Sequence, residues 1–170
     1  MKAIKIMTPH QVSVSAESYT ATLFAWAGYD VSVQYGANQP EYDLIVAKED
    51  KFLKISVKGS QDGGWGLTQS HLSNADYYGA IDKWLSNHTK KTIFSLVQFE
   101  NVNFEKSFPR VYLATPFEMA QYMKTMRNGH GNTSLKEYYE WKNGVAKGTI
   151  DEIPSYWKFS KERIEELINI

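Results

Sequence analysis

Two short runs, residues 42–47 and 52–58, alternate in polarity on either side of Lys48-Glu49-Asp50-Lys51, and they constrain the fold more tightly than any other part of the chain. Period-two alternation marks a half-buried strand, and two such runs around a short polar stretch read as an antiparallel hairpin. With Glu49-Asp50 as a two-residue turn, Lys48 faces Lys51 and every paired position sums to 99. One face then collects Tyr42, Leu44, Val46, Leu53, Ile55 and Val57 as the core face. The other carries Asp43 directly across from Ser56, with Cβ atoms about 4.5–5.5 Å apart, and Lys58 two residues on. A slip of one residue would move Leu44 and Ile55 to the polar face, which the pattern disfavours.

Around this hairpin the sequence predicts a helix over residues 13–27, where Ala16, Tyr19, Leu23, Trp26 and Ala27 recur at helical spacing and Gly28 supplies the stop. Glu17 is its only acid and falls in the first turn of a helix so bounded. A strand follows at residues 29–35, closed by the turn segment Gly36-Ala37-Asn38-Gln39-Pro40. Past the hairpin lie a Gly-rich loop at 59–66, a helix capped near Ser73-Asn74-Ala75-Asp76, and strands at 92–99 and 110–114. Thr115-Pro116-Phe117-Glu118 combines an N-cap, a first-turn proline and a reach-back acid, a compact helix start. Ser134-Leu135-Lys136-Glu137 offers a second capping box, and Ser160 opens a last helix with Ile164, Leu167 and Ile168 on one face. The order predicts an α/β fold, a mixed β-sheet flanked by helices. It divides into a core over residues 1–114 and a helical C-terminal extension over 115–170 packed on the same domain.

Ala16-Glu17 on a first helix, then Pro40-Glu41-Tyr42-Asp43-Leu44-Ile45-Val46, then Lys54-Ile55-Ser56-Val57-Lys58 together resemble the PD-(D/E)XK restriction-endonuclease-like superfamily. The similarity is to the branch of group I intron-encoded endonucleases and Holliday-junction-resolvase-like proteins, and it covers roughly residues 14–100. The resemblance implies a restriction-endonuclease-like sheet and metal-dependent hydrolysis of DNA phosphodiester bonds, with Glu17, Asp43 and Lys58 as catalytic residues. Asp43 would ligate Mg²⁺ or Mn²⁺ directly, Glu17 would hold the ion or its waters, and Ser56, as a weakened ligand, and the Val57 carbonyl would complete the set. Lys58 would orient the attacking water. Oxygen ligands and retained waters suit Mg²⁺, and a lysine offsets the carboxylates' repulsion. The departure is Ser56, which stands where the family has an acid and so weakens the metal site, with Glu41 as a substitute opposite Lys58. The alternative is a catalytically inactive nuclease-fold protein that acts as a DNA-binding or protein-interaction module.

DNA is the partner this resemblance implies, with Lys54, Gln61 and Trp65 as nucleic-acid contacts. Cutting both strands of a duplex would need two sites, hence a homodimer or larger assembly. Each residue also has a plainer reading. Asp43 and Lys58 fit an ordinary cross-strand pair, Glu17 a first-turn acid near the helix dipole, and the 59–66 loop a connector. His10, His71, His88 and His130 are scattered without ligand spacing. Tyr77, Tyr78, Trp84, Tyr138, Tyr139 and Trp141 read as core or interface aromatics before they read as base-stacking groups.

Composition narrows the rest. With 19 basic and 19 acidic residues the net charge is zero, so nucleic-acid binding would be local and salt-sensitive and not built on a generally basic surface. The absence of cysteine excludes disulfides, thiolate metal sites and a cysteine nucleophile. No apolar run approaches the ~18 residues that span a bilayer, and residues 1–7 lack a signal-peptide pattern. No membrane association and a cytoplasmic location are therefore expected.

Overall fold

The computed structural model describes residues 6–34 and 41–170. The segment 36–40, expected as a turn, and Tyr35, expected in the first strand, lie outside the described residues. Helix α1 (Pro9–Trp26) begins a turn earlier than its apolar stripe indicates. Thr8 is the N-cap: its hydroxyl accepts the Gln11 N–H at 3.2 Å, Gln11 Oε1 accepts the Thr8 N–H at 2.9 Å, and Pro9 occupies the first turn. This capping box, outside the hydrophobic pattern, is what sets the boundary. Glu17 therefore sits in mid-helix, and the helix has no acid in its first turn. A favourable dipole contact no longer accounts for it.

After Gly28, at φ +91°, come β1 (Asp30–Val33), β2 (Leu44–Lys48) and β3 (Lys51–Ser60). The hairpin register is Leu44↔Ile55 through Lys48↔Lys51, as the alternation requires, with Glu49 at φ +57° in the turn. Strand β3 continues into a short strand, β4 (Gly64–Gly66), followed by α2 (Tyr77–Ser86), whose N-cap Asp76 accepts the Gly79 N–H at 2.9 Å. Strands β5 (Thr92–Gln98) and β6 (Arg110–Ala114) complete a five-stranded mixed sheet in the order β1-β2-β3-β5-β6, in which only the β3–β5 pair is parallel.

Helix α3 (Pro116–Gly129) starts at the expected capping box, with Thr115 and Glu118 bonded reciprocally. The second capping box does not open a helix. Ser134–Lys136 is strand β7, paired with β4, because Leu135 is drawn fully into the core opposite Trp65 and Glu137 is held by Arg110 and Tyr112. Tertiary burial overrides the local signal. A second hairpin, β8 (Tyr138–Glu140) and β9 (Ile150–Glu152), precedes the terminal α4 (Lys161–Ile168).

The sheet is sandwiched between two cores. On one face α1 and α4 bring Ala16, Phe24, Ile164 and Leu167 onto Leu44, Val46, Ile55 and Val57. On the other, α2 and α3 bring Trp84, Met119 and Met123 onto Phe94 and Leu96. Each fully buried aliphatic side chain contributes roughly 1.5–3 kcal/mol. Among the described residues no helix is long and apolar enough to cross a membrane.

Candidate active site

Strand β3 has a neighbour on each side only for part of its length. The ladder to β2 stops at Leu44↔Ile55, while the ladder to β5 continues to Ser60↔Gln98. From Ser56 onward the sheet is forked, and the candidate residues gather in the fork. The Asp43 N–H still donates to the Ile55 carbonyl at 2.8 Å. The next ladder donor, the Val57 N–H, is taken by the side chain of Asp43 instead of by a main-chain carbonyl, at 2.7 Å to Oδ2. In a strand the N–H and C=O of one residue project to the same side, so the Val57 carbonyl also faces the fork.

Glu17 arrives from α1. The helix lies so close to β3 that a Cβ on Gly59 would stand 2.7 Å from Val12 Cγ1 and 2.9 Å from Ala16 Cβ. Only glycine permits that approach, which sets Glu17, next to Ala16, at the fork. Burial raises the Glu17 carboxyl above the ordinary carboxylate range. The negative charge of Asp43 raises it further, while Lys58 and His10 pull it back. Glu17 thus lies within electrostatic reach of one carboxylate and of two basic side chains.

The hairpin lysines divide clearly. Lys48 lies over the Tyr29 ring at 5.3 Å, Lys54 over Tyr42 at 5.0 Å, and Lys51 bonds to Asn169. Lys58 makes no hydrogen bond, ion pair or ring contact through its ammonium among the described residues, and its side chain is exposed. Lys54, expected as a nucleic-acid contact, is half-buried against Tyr42.

Other expected residues are placed elsewhere. Ser56 is 4% exposed. It is the register neighbour of Phe94 and lies on the α2/α3 face, so a neutral, buried hydroxyl occupies the position of the second acid. Glu41 does not stand in for it. Its carboxylate abuts His88 Nδ1, and that imidazole packs tilted against the Trp84 ring, 4.5 Å between centroids. Trp65 is no groove reader. It is 3% exposed, its Nε1–H donates to the Lys58 carbonyl at 3.0 Å, and its ring packs edge-on to Tyr112. The Gln61 amide is engaged by Met7, donating to its carbonyl at 2.7 Å and accepting its N–H at 3.2 Å. The loop expected at 59–66 is the end of β3, a tight turn and β4.

Asp43 is thus bonded to the Val57 main chain, and Glu17 lies within electrostatic reach of Asp43, Lys58 and His10, the last of which no sequence pattern singles out. Among the described residues no group of three or more His, Asp or Glu side chains could hold a metal ion. Two carboxylates and one carbonyl nevertheless fit Mg²⁺ or Mn²⁺, because Mg²⁺ is commonly held through one or two carboxylates and keeps its waters. Comparison of the sequence with models of known protein families gives no match, and none is found among curated proteins.

Proposed function

We propose that the protein is a metal-dependent phosphodiesterase of the PD-(D/E)XK type that cleaves DNA at the sheet fork. The observation that carries this reading is the fork itself. Asp43 leaves the ladder and bonds Val57 through its carboxylate, Glu17 feels its charge, and Lys58 acts on Glu17 without an ion-pair partner among the described residues.

Asp43 Oδ1, the Glu17 carboxylate and the Val57 carbonyl would hold a divalent cation. Such an ion lowers the pKa of a bound water and polarises the phosphoryl oxygen. The chain's own contributions follow from charge and reach. Lys58 Nζ orients the water and neutralises charge developing on the phosphoryl oxygens. Attack by the water oxygen on phosphorus breaks one P–O ester bond, and the departing oxygen takes up a proton.

Incubation with supercoiled plasmid and Mg²⁺ or Mn²⁺ tests the proposal. Nicking is expected for the wild type, and it should fall at least a hundredfold in Asp43→Asn and Lys58→Ala. No nicking with either metal overturns the enzyme reading. A second reading, a silent member of the same fold that binds nucleic acid or protein, is favoured by Ser56. The buried hydroxyl supplies no charge where the family has an acid.

A further inference from the structure

Of the two places expected for the aromatics of the 138–141 segment, core or interface, the structure keeps them out of the core. Tyr139 is 42% exposed, and its ring lies 4.5 Å from that of half-buried Trp141. Cations are interleaved with them. Lys136 Nζ sits 5.3 Å over the Tyr139 ring, and the Arg127 guanidinium lies 5.8 Å from Trp141 and 4.8 Å from Tyr77. Lys136, Tyr139, Trp141, Arg127 and Tyr77 thus form one continuous row of cations and rings.

The row is built at an energetic cost. Arg127 and Asn128 hold φ +55° and +58°, left-handed values that cost roughly 1–2 kcal/mol each for non-glycine residues. They persist because the turn is braced twice. Asp151, 8% exposed, accepts the Arg127 N–H at 3.0 Å and the Trp141 Nε1–H at 2.6 Å, and Tyr78 donates its hydroxyl to the Gly129 carbonyl at 2.7 Å. A single buried carboxylate thereby fixes a cation and a ring of the same row. Strain sustained in this way is characteristic of binding surfaces.

One acid shares this face: Tyr139 pairs with Asp151, whose buried carboxylate is engaged by the Arg127 and Trp141 N–H groups, while alternation puts Glu140 and Glu152 on the opposite side of the β8–β9 hairpin. Neither Arg127 nor Lys136 has an ion-pair partner among the described residues. The row also begins beside the fork. Gly64 pairs with Lys136, and neighbouring Trp65 bonds the Lys58 carbonyl.

We propose that this row is a track for single-stranded nucleic acid, with Tyr139 and Trp141 stacking on bases and Lys136 and Arg127 contacting phosphates. Rings with interleaved cations recognise an anionic chain of flat bases with little sequence preference. The choice of polymer rests on the nuclease reading, but strand binding does not require cleavage.

Fluorescence anisotropy of labelled oligothymidylate and oligouridylate in EDTA tests the track without hydrolysis. The wild type should bind at least one of them. Tyr139→Ala should weaken binding about 5- to 100-fold, and Lys136→Gln should lower the slope of log K against log salt by about 0.7. No binding by the wild type overturns the proposal, as does full binding by Tyr139→Ala with normal thermal unfolding. Strand binding without plasmid nicking leaves the track standing and removes the nuclease.

Discussion

Replacing Glu17 with glutamine should stabilise the metal-free protein at neutral pH. The Glu17 carboxyl titrates higher in the folded chain than in the unfolded one, first through burial and then through the charge of Asp43. The fold therefore prefers the protonated acid. That preference is fully expressed below the ordinary carboxylate range and is lost as pH rises through the raised folded value, so at pH 7 the ionised Glu17 is a net cost. Glutamine keeps the length and helix propensity while removing the charge. Glu17 is half-exposed, so water screens the effect and the gain belongs to the range of surface charge interactions, about 0.2–1 kcal/mol. For a chain of this length that is a rise in Tm of roughly 0.5–4 °C. Thermal unfolding in EDTA at pH 7 measures it, and well below the carboxylate range the two proteins should melt together. With Mn²⁺ at a hundred times its Kd the order should reverse, because a site binding only the folded state adds about 2.7 kcal/mol. A lower Tm for Glu17→Gln in EDTA at pH 7 would refute the reasoning, since Lys58 would then be stabilising Glu17 as an ordinary ion pair.

Gly59→Ala should destabilise by about 1–3 kcal/mol, because its Cβ meets Val12 Cγ1 at 2.7 Å and Ala16 Cβ at 2.9 Å; urea unfolding reads it, and an unchanged midpoint would contradict the close approach. Asp43→Ala leaves the Val57 N–H without its acceptor and should cost about 1–3 kcal/mol, whereas Asp43→Asn, which retains an acceptor oxygen, should stay within about 1 kcal/mol. Glu137→Ala should cost roughly 1.5–3 kcal/mol, because that buried carboxylate accepts two Arg110 bonds at 2.6 and 2.8 Å and the Tyr112 hydroxyl at 2.6 Å. The measurement is denaturant unfolding at neutral pH.

The hairpin was legible because alternation with one buried face admits a single register, and the α3 start because three local signals coincide there. The start of α1 was misread by attending to its apolar stripe, although Thr8-Pro9-His10-Gln11 carries the cap. Residues 134–137 show the opposite failure, a sound local cap overridden by the burial of Leu135 and Glu137. At the site, strand parity places Asp43 and Lys58 on one face, and only the resemblance singles them out as site residues. That Asp43 would cap Val57, that Ser56 would be buried and that Glu41 would turn to His88 all depend on the fork, and hence on where β2 leaves β3. Gly59 directly after Lys58, with Ala16 before Glu17, was the one sequence signal that helix and strand meet there. The displayed rings of Tyr139 and Trp141 had no such signal, because aromatic spacing alone does not reveal which face is covered.

Isothermal titration of the metal-free protein with Mn²⁺ tests most directly whether the fork is a catalytic cation site. The proposed site predicts one ion per chain, bound more weakly by Glu17→Gln and not measurably by Asp43→Asn, while Ser56→Ala leaves binding unchanged because its buried hydroxyl is not a ligand. Absence of binding to the wild type, or equal binding by Asp43→Asn, would contradict it.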